Sequence, residues 1–454
     1  MNIHMIEKIF KLKKNKTNIN TEFIAGLTTF MAMSYIIFIN PQVLSQTGMP
    51  YEAVYGATIL ATVFATLLLG LYANVPYASS AVIGLSSLFT YTLCGSLGYT
   101  WQQSLAMVFI CSLINLIITV TSLRKKIIQA IPDFLQEAIT VGIGLFITYV
   151  GLMNAGIIEF QASGINDGIA VNVLPQIANV TKPAILLSVL GLMITSILII
   201  KKVKGSYLIG IIITTLIGIP LGVTHMPNFS NYSIIPNIST TLFKLDFSSL
   251  FTLKAGLITT IMTIFTLSMS DLFDTLGIFI GTGKKAGKFK LDRHGDMPKN
   301  LEKAMIADST GSMVGALFGT SNVTTYLESS AGIEAGGRTG LTSVFIALFF
   351  ILSLFIYPII ECVPMAAVAP ILILIGVSML ENIGKIDWKD YMIAIPSFFC
   401  IIMMSFAYSI TTGIEAGFIF YSIVNLYTGN AKKVSPIIYI FSLLFAIKYI
   451  IMAI

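Results

Sequence analysis

The sequence predicts an all-α membrane protein of about fourteen transmembrane segments, arranged as two inverted seven-span repeats with the third and tenth segments broken. Three observations lead there. First, 56% of the 454 residues are hydrophobic and only 11% are charged, against roughly 25% charged residues in a soluble domain. Second, the apolar residues fall into runs long enough to cross a hydrocarbon core, about 20 residues each. Third, those runs are continuous rather than alternating. Lipid offers no partner for backbone N–H and C=O groups, so a spanning segment must be a helix or part of a closed barrel, and continuous runs select helices.

The spans are expected near residues 22–44, 52–72, 77–94, 102–121, 134–154, 183–201 and 206–223, then 252–282, 302–318, 320–334, 340–361, 364–382, 388–409 and 412–428. The run 435–453 reads either as an additional span or as a helix lying at the interface. Residues 1–21 form a basic, polar N-terminal segment without a cleavable signal pattern, so the first hydrophobic run is expected to persist as a span.

Orientation follows from the basic residues. Lys8, Lys11, Lys13, Lys14 and Lys16 precede the first span, Arg124, Lys125 and Lys126 follow the fourth, and Lys201, Lys202 and Lys204 follow the sixth. Lys284, Lys285, Lys288, Lys290, Arg293 and Lys299 follow the eighth, whereas the loops 45–51 and 95–103 carry no Lys or Arg. Positive loops remain cytoplasmic, so the N-terminus and these clusters are assigned to the cytoplasm. The formal net charge of +6 is thereby read as topology rather than as a nucleic-acid-binding surface.

The repeat is visible as an echo. Ala25-Gly26-Leu27-Thr28-Thr29 opens the first span, and Ala255-Gly256-Leu257-Ile258-Thr259-Thr260 opens the eighth. A repeat unit with an odd number of spans must return inverted, and inverted repeats mark secondary transporters whose site lies where the repeats meet. The third segment of each half is also unusual. Residues 78–87 and 319–332 are rich in Ser, Thr and Gly, and irregular backbone at membrane depth survives only against protein or a cavity.

Charges inside apolar runs are costly, roughly 2.5–3.5 kcal/mol at a helix centre, so the few that occur are candidate functional groups. Asp271 and Asp274 interrupt the eighth span at i,i+3 spacing, which places both carboxylates on one helical face. Glu328 sits among hydroxyls and glycines in the tenth segment. There it can accept N–H donors from a planar heterocycle or carry a proton. Asp308 reads equally as a supporting partner or as a helix-packing hydrogen bonder. The four cysteines are scattered and the three histidines lie at the terminus or in loops, so no metal centre or cofactor is expected. No phosphate-binding loop, zinc-protease helix or nucleophile elbow is present. This argues against ATP-driven transport and intramembrane hydrolysis, and no enzyme activity is expected.

Gly26-Leu27-Thr28-Thr29-Phe30-Met31-Ala32-Met33-Ser34-Tyr35 through Asn40-Pro41 resembles the opening span of the nucleobase–cation symporters, specifically the adenine/guanine/hypoxanthine permease branch. Phe273-Asp274-Thr275-Leu276-Gly277 resembles that branch's eighth-span motif. Gly319-Thr320-Ser321, Thr324-Thr325-Tyr326-Leu327-Glu328-Ser329 and Gly336-Gly337-Arg338-Thr339-Gly340 are similar to its most specific signature.

The resemblance implies a core domain (22–121 and 251–361) moving against a gate domain (122–250 and 362–454), often within a homodimer in the plasma membrane. It implies proton-coupled uptake of a purine base held between the third and tenth segments, with Na⁺ as the alternative coupling ion. Carried over, the substrate-binding candidates are Asp271, Asp274, Glu328, Ser86, Ser87, Ser321, Asn322 and Thr325, and the proton carrier is Glu328, Asp271 or Asp308. The chain departs from the branch in its third segment. Where the branch has Pro-Gly-Met-Gly-Leu-Asn-Ala, residues 81–87 read Ala-Val-Ile-Gly-Leu-Ser-Ser. Ile278 and Asn322 each replace a common Thr. These changes leave open another planar or anionic solute on the same scaffold, such as uracil, xanthine or an anion, or a channel.

Overall fold

The computed structural model describes residues 3–121, 131–166, 169–225, 236–248, 250, 256–286 and 299–453. Arg124, Lys125, Lys126, Ala255, Lys288, Lys290, Arg293 and His294 therefore lie outside the described residues.

The chain is mostly helical. Among the described residues, seven stretches are long and apolar enough to cross a bilayer: Ile19–Ser45, Tyr51–Ala73, Trp101–Val120, Asp133–Asn154, Pro183–Ile200, Gly340–Glu361 and Met365–Lys385. Ser206–Gly218 and Tyr391–Phe406 are shorter apolar helices. The helices Gly256–Ala286, Lys299–Phe318 and Ile410–Tyr427 each carry acidic residues, among them Asp271, Asp308 and Glu415. Their neighbours inside the molecule supply the missing partners.

The helices pack in two sets. Lys299–Phe318 packs on Trp101–Val120 and on Tyr51–Leu68, and Gly340–Ser353 packs on Ile19–Met33 and on Tyr51–Leu68. Asp133–Asn154, in contrast, packs on Met365–Met379 and Tyr391–Phe406, with Pro183–Ile200 against Met365–Met379. Close approach in the first set depends on glycine: a Cβ at Gly340 would meet the Gly70 carbonyl oxygen at 1.8 Å. The apolar surface lies outside, as at Met193, Ile197, Ile200, Leu216 and Leu443, while many Ser, Thr and Asn side chains are buried. This inversion of the soluble pattern suits a lipid exterior.

Two short strands position the site. Strand β1, Ser79–Ala81, leads into the helix Ile83–Ser87 and a wider π-type turn, Leu88–Ser96. A hairpin outside the expected spans follows later: strands β2 (Ile158–Asn166) and β3 (Ile169–Ile177) pair antiparallel, Ile158 opposite Ile177. Strand β4, Val323–Thr325, pairs antiparallel with β1, Ser79 opposite Thr325 and Ala81 opposite Val323, and the helix Ser329–Glu334 begins just beyond it. The chain's last helix, Pro436–Ala453, packs on Ile410–Tyr427. Ser442 Oγ donates to the Phe418 carbonyl at 2.9 Å and Tyr449 Oη to Glu415 Oε2 at 2.6 Å.

Candidate functional site

The β1–β4 pair is held together by a buried carboxylate. Asp308, 2% exposed, projects from Lys299–Phe318 and accepts hydrogen bonds from three hydroxyls. Thr325 Oγ1 donates at 2.7 Å and Ser79 Oγ at 3.3 Å to its Oδ1, and Thr275 Oγ1 donates at 2.9 Å to its Oδ2. One carboxylate thus binds both strands and the eighth-span helix. Charge-assisted bonds of this kind are roughly twice as strong as neutral ones.

A second polar knot lies beside it. Ser86 Oγ donates to Asn40 Oδ1 at 2.6 Å and lies 2.6 Å from Ser321 Oγ. Asn40 Nδ2 in turn donates to Thr58 Oγ1 at 2.7 Å and Thr320 Oγ1 at 2.9 Å. Ser86, Ser321, Asn322 and Thr325 are all buried, and three of them spend their side-chain bonds largely on the protein itself. Asn322 Nδ2 donates to Cys111 Sγ at 3.5 Å, and its Oδ1 has no partner among the described residues. The hydroxyl of buried Ser87 has none there either.

Two of the expected residues remain partly accessible, Asp274 and Glu328. Glu328 flanks the start of Ser329–Glu334, and Tyr35 Oη donates to its Oε1 at 2.5 Å. Asp274 makes no hydrogen bond among the described residues, and it lies close enough to Glu328 to interact electrostatically. Tyr326 lies within electrostatic range of both carboxylates. Tyr35 packs edge-on against Tyr207 with ring centroids 5.2 Å apart, and Tyr326 is 6.4 Å away. Two acceptor groups and a set of tyrosine rings therefore share one partly open region. That combination suits a planar ring with N–H donors at its edge.

Asp271 is placed elsewhere. The i,i+3 spacing puts it about 60° around the helix from Asp274, and here that angle is enough to separate them. Asp271 is 2% exposed and turns toward Trp101–Val120, where Asn115 Nδ2 donates to its Oδ2 at 2.7 Å. Ser268 Oγ donates to Asn115 Oδ1, which fixes the amide's orientation. Asn115, Tyr35, Tyr207 and Asn40 were not singled out from sequence. Asn115 carried a usable signal, since a lone amide inside Leu113–Ile118 is costly in lipid unless it has a partner. Tyr35 belongs to the opening-span motif, but its role is not legible locally, because its partner lies 293 residues away.

A separate cavity of about 410 Å³ opens among Gln46, Thr90, Cys94, Tyr99 and Trp101. It is lined by none of the four carboxylates, so it is distinct from the Asp274–Glu328 region.

Residues 20–416 match the Permease family. The adenine permease AdeP of Escherichia coli (strain K12) is 37% identical over 98% of this chain and 96% of its own length. The guanine/hypoxanthine permease PbuO of Bacillus subtilis (strain 168) is 36% identical over 98% of this chain and 100% of its own. Among solved structures, the transmembrane domain of a cyanobacterium bicarbonate transporter, BicA, superposes with a TM-score of 0.61 at 16% identity, covering 88% of this chain and 97% of that one. At that identity the likeness establishes a shared fold.

Proposed function

This chain belongs to the Permease family, and from that premise we propose that it takes up a purine nucleobase (guanine, hypoxanthine or adenine) by proton-coupled alternating access. It is a multi-pass membrane transporter and not an enzyme. The observation that carries the substrate reading is the paired, partly open carboxylates Asp274 and Glu328 beside Tyr35 and Tyr207. A purine edge presents N–H donors to carboxylates and a π face to tyrosine rings, and both kinds of partner are present here. The names of the relatives AdeP and PbuO point to the same substrate class.

The proposed movement is of the helix set containing the β1–β4 pair against the set built on Asp133–Asn154, as core and gate. The two packing sets support this division. The plasma membrane, a cytoplasmic N-terminus, fourteen spans and a homodimer complete the proposal.

A second reading has its own observation. Ser86, at the position where the related branch carries Asn, is bonded to Asn40 and Ser321, so the third segment offers no amide to the substrate. A planar solute other than a purine, or an anion, is then the alternative on the same scaffold.

Uptake of radiolabelled adenine, guanine, hypoxanthine, uracil and xanthine into proteoliposomes, with H⁺ or Na⁺ gradients imposed separately, distinguishes these readings. We expect saturable purine uptake driven by the H⁺ gradient and abolished in Glu328→Gln. Failure of every purine to accumulate in folded, reconstituted protein would sink the purine assignment.

A further inference from the structure

We propose that Asp271, set apart from the Asp274–Glu328 pair, is the group that takes up and releases the coupling proton. This deepens the transport reading above and rests on it. Four carboxylates cluster near the strand pair, and their hydrogen bonds divide them. Asp308 uses both oxygens to accept from three hydroxyls, so protonation there would break a bond joining β1, β4 and the eighth-span helix. Glu328 accepts from Tyr35, and both it and Asp274 are partly open to a ligand. Asp271 is buried, accepts one bond from a neutral amide at Oδ2, and has no partner at Oδ1 among the described residues. A proton can add to that oxygen without breaking anything.

The surroundings agree. Among the described residues, the titratable groups facing Asp271 are Asp274 on its own helix, Asp308 on Lys299–Phe318 and Cys111 on Trp101–Val120, and none of these is a cation. A buried charge without a partner charge is costly. Asn322 of the tenth segment interacts with Asp271, and its own buried Oδ1 is without a partner. Asp271 is therefore linked to the same segment that carries Glu328. Loading the proton and holding the substrate would thus reach the same piece of backbone from two sides.

The test uses purified full-length protein in proteoliposomes containing a pH-sensitive dye, with the purine that wild type transports. For Asp271→Asn we expect equilibrium binding within about threefold of wild type and intact purine-for-purine exchange. Substrate-evoked H⁺ entry and gradient-driven accumulation should be lost. A folded Asp271→Asn that binds more than about tenfold more weakly, or that still moves protons with substrate, overturns the proposal. If that variant does not fold, Asn115→Leu decides. Losing the donor that holds the anionic form should change the pH dependence of coupled uptake while purine-for-purine exchange stays intact, and an unchanged pH profile overturns the proposal. Absence of any purine transport by wild type would instead remove the reading beneath it.

Discussion

Glu328 and Asp274 differ from the other acids in being reachable, and Tyr35 sets the first of them in place. Its hydroxyl is the donor that fixes one Glu328 oxygen at 2.5 Å. Tyr35→Phe should therefore weaken substrate binding by about 1.5–3 kcal/mol, the range for a hydrogen bond to a charged group, while leaving the fold intact. Isothermal titration together with a thermal melt separates the two effects. Glu22 has a different role. It is buried and receives the backbone N–H groups of Arg338, Thr339 and Thr342 and the Thr342 hydroxyl, so it satisfies donors at the start of Gly340–Ser353. Glu22→Gln replaces an acceptor by an NH₂ group facing donors and should cost about 1–3 kcal/mol of stability, read as a lower melting temperature with substrate affinity unchanged. Asp274 and Glu328 were legible in the sequence because a charge in an apolar run is costly. The separate setting of Asp271 was not, because i,i+3 spacing fixes an angle and not which neighbour fills it.

At the scale of elements, the β1–β4 pair and Asp308 form one joint. Asp308→Ala removes the acceptor for Ser79, Thr275 and Thr325 together. We expect it to abolish both net uptake and exchange, in contrast to Asp271→Asn. Gly340→Ala would drive a Cβ into the Gly70 carbonyl oxygen. Overpacking typically costs 1–3 kcal/mol, and backbone cannot rotate away as a side chain can, so this variant should reach or exceed that range, seen as loss of monodisperse protein in detergent. The run of Ser, Thr and Gly in residues 78–87 and 319–332 marks both segments as unsuited to lipid. Their pairing as strands could not be read, since each contributes only three residues and the partner lies in the other half. The hairpin of β2 and β3 left a clear trace, Asn166-Asp167-Gly168 between alternating apolar residues. A search for long apolar runs passes over that pattern.

Across the whole molecule, the two helix sets meet in an aromatic cluster. Tyr91, beyond the third-segment helix, packs with Tyr408 at 5.8 Å and Phe146 at 6.5 Å, and Tyr149 reaches Tyr408 at 6.1 Å. Asn154 Nδ2 donates to the Tyr91 hydroxyl at 2.9 Å. In the proposed topology this cluster lies on the outer side, near the loops that lack basic residues. Alternating access by the two sets predicts that these contacts part when the outer side opens. Tyr408→Ala should loosen the cluster. With the four native cysteines replaced and a single cysteine placed at Leu327, which is 58% exposed beside Glu328, an impermeant thiol reagent added outside should label faster in the Tyr408→Ala background. Equal rates would show that the closure lies elsewhere. The helical class could be read from hydropathy, and seven of the expected spans recur among the described residues, whereas this aromatic cluster depends on contacts across hundreds of residues that no local pattern announces.

The joint at β1 and β4 also bears on energetics. Because one buried carboxylate ties both strands to the eighth-span helix, that part of the binding region moves as one body, while Tyr207 belongs to the other helix set. The contacts that this body makes stay the same whichever side it faces, and only the Tyr207 side of the region changes. Any difference in substrate affinity between the two faces of the membrane should then come from Tyr207 and its helix set. Accumulation would be set by the coupling ion alone, with the strand joint acting as a neutral carriage that favours neither direction.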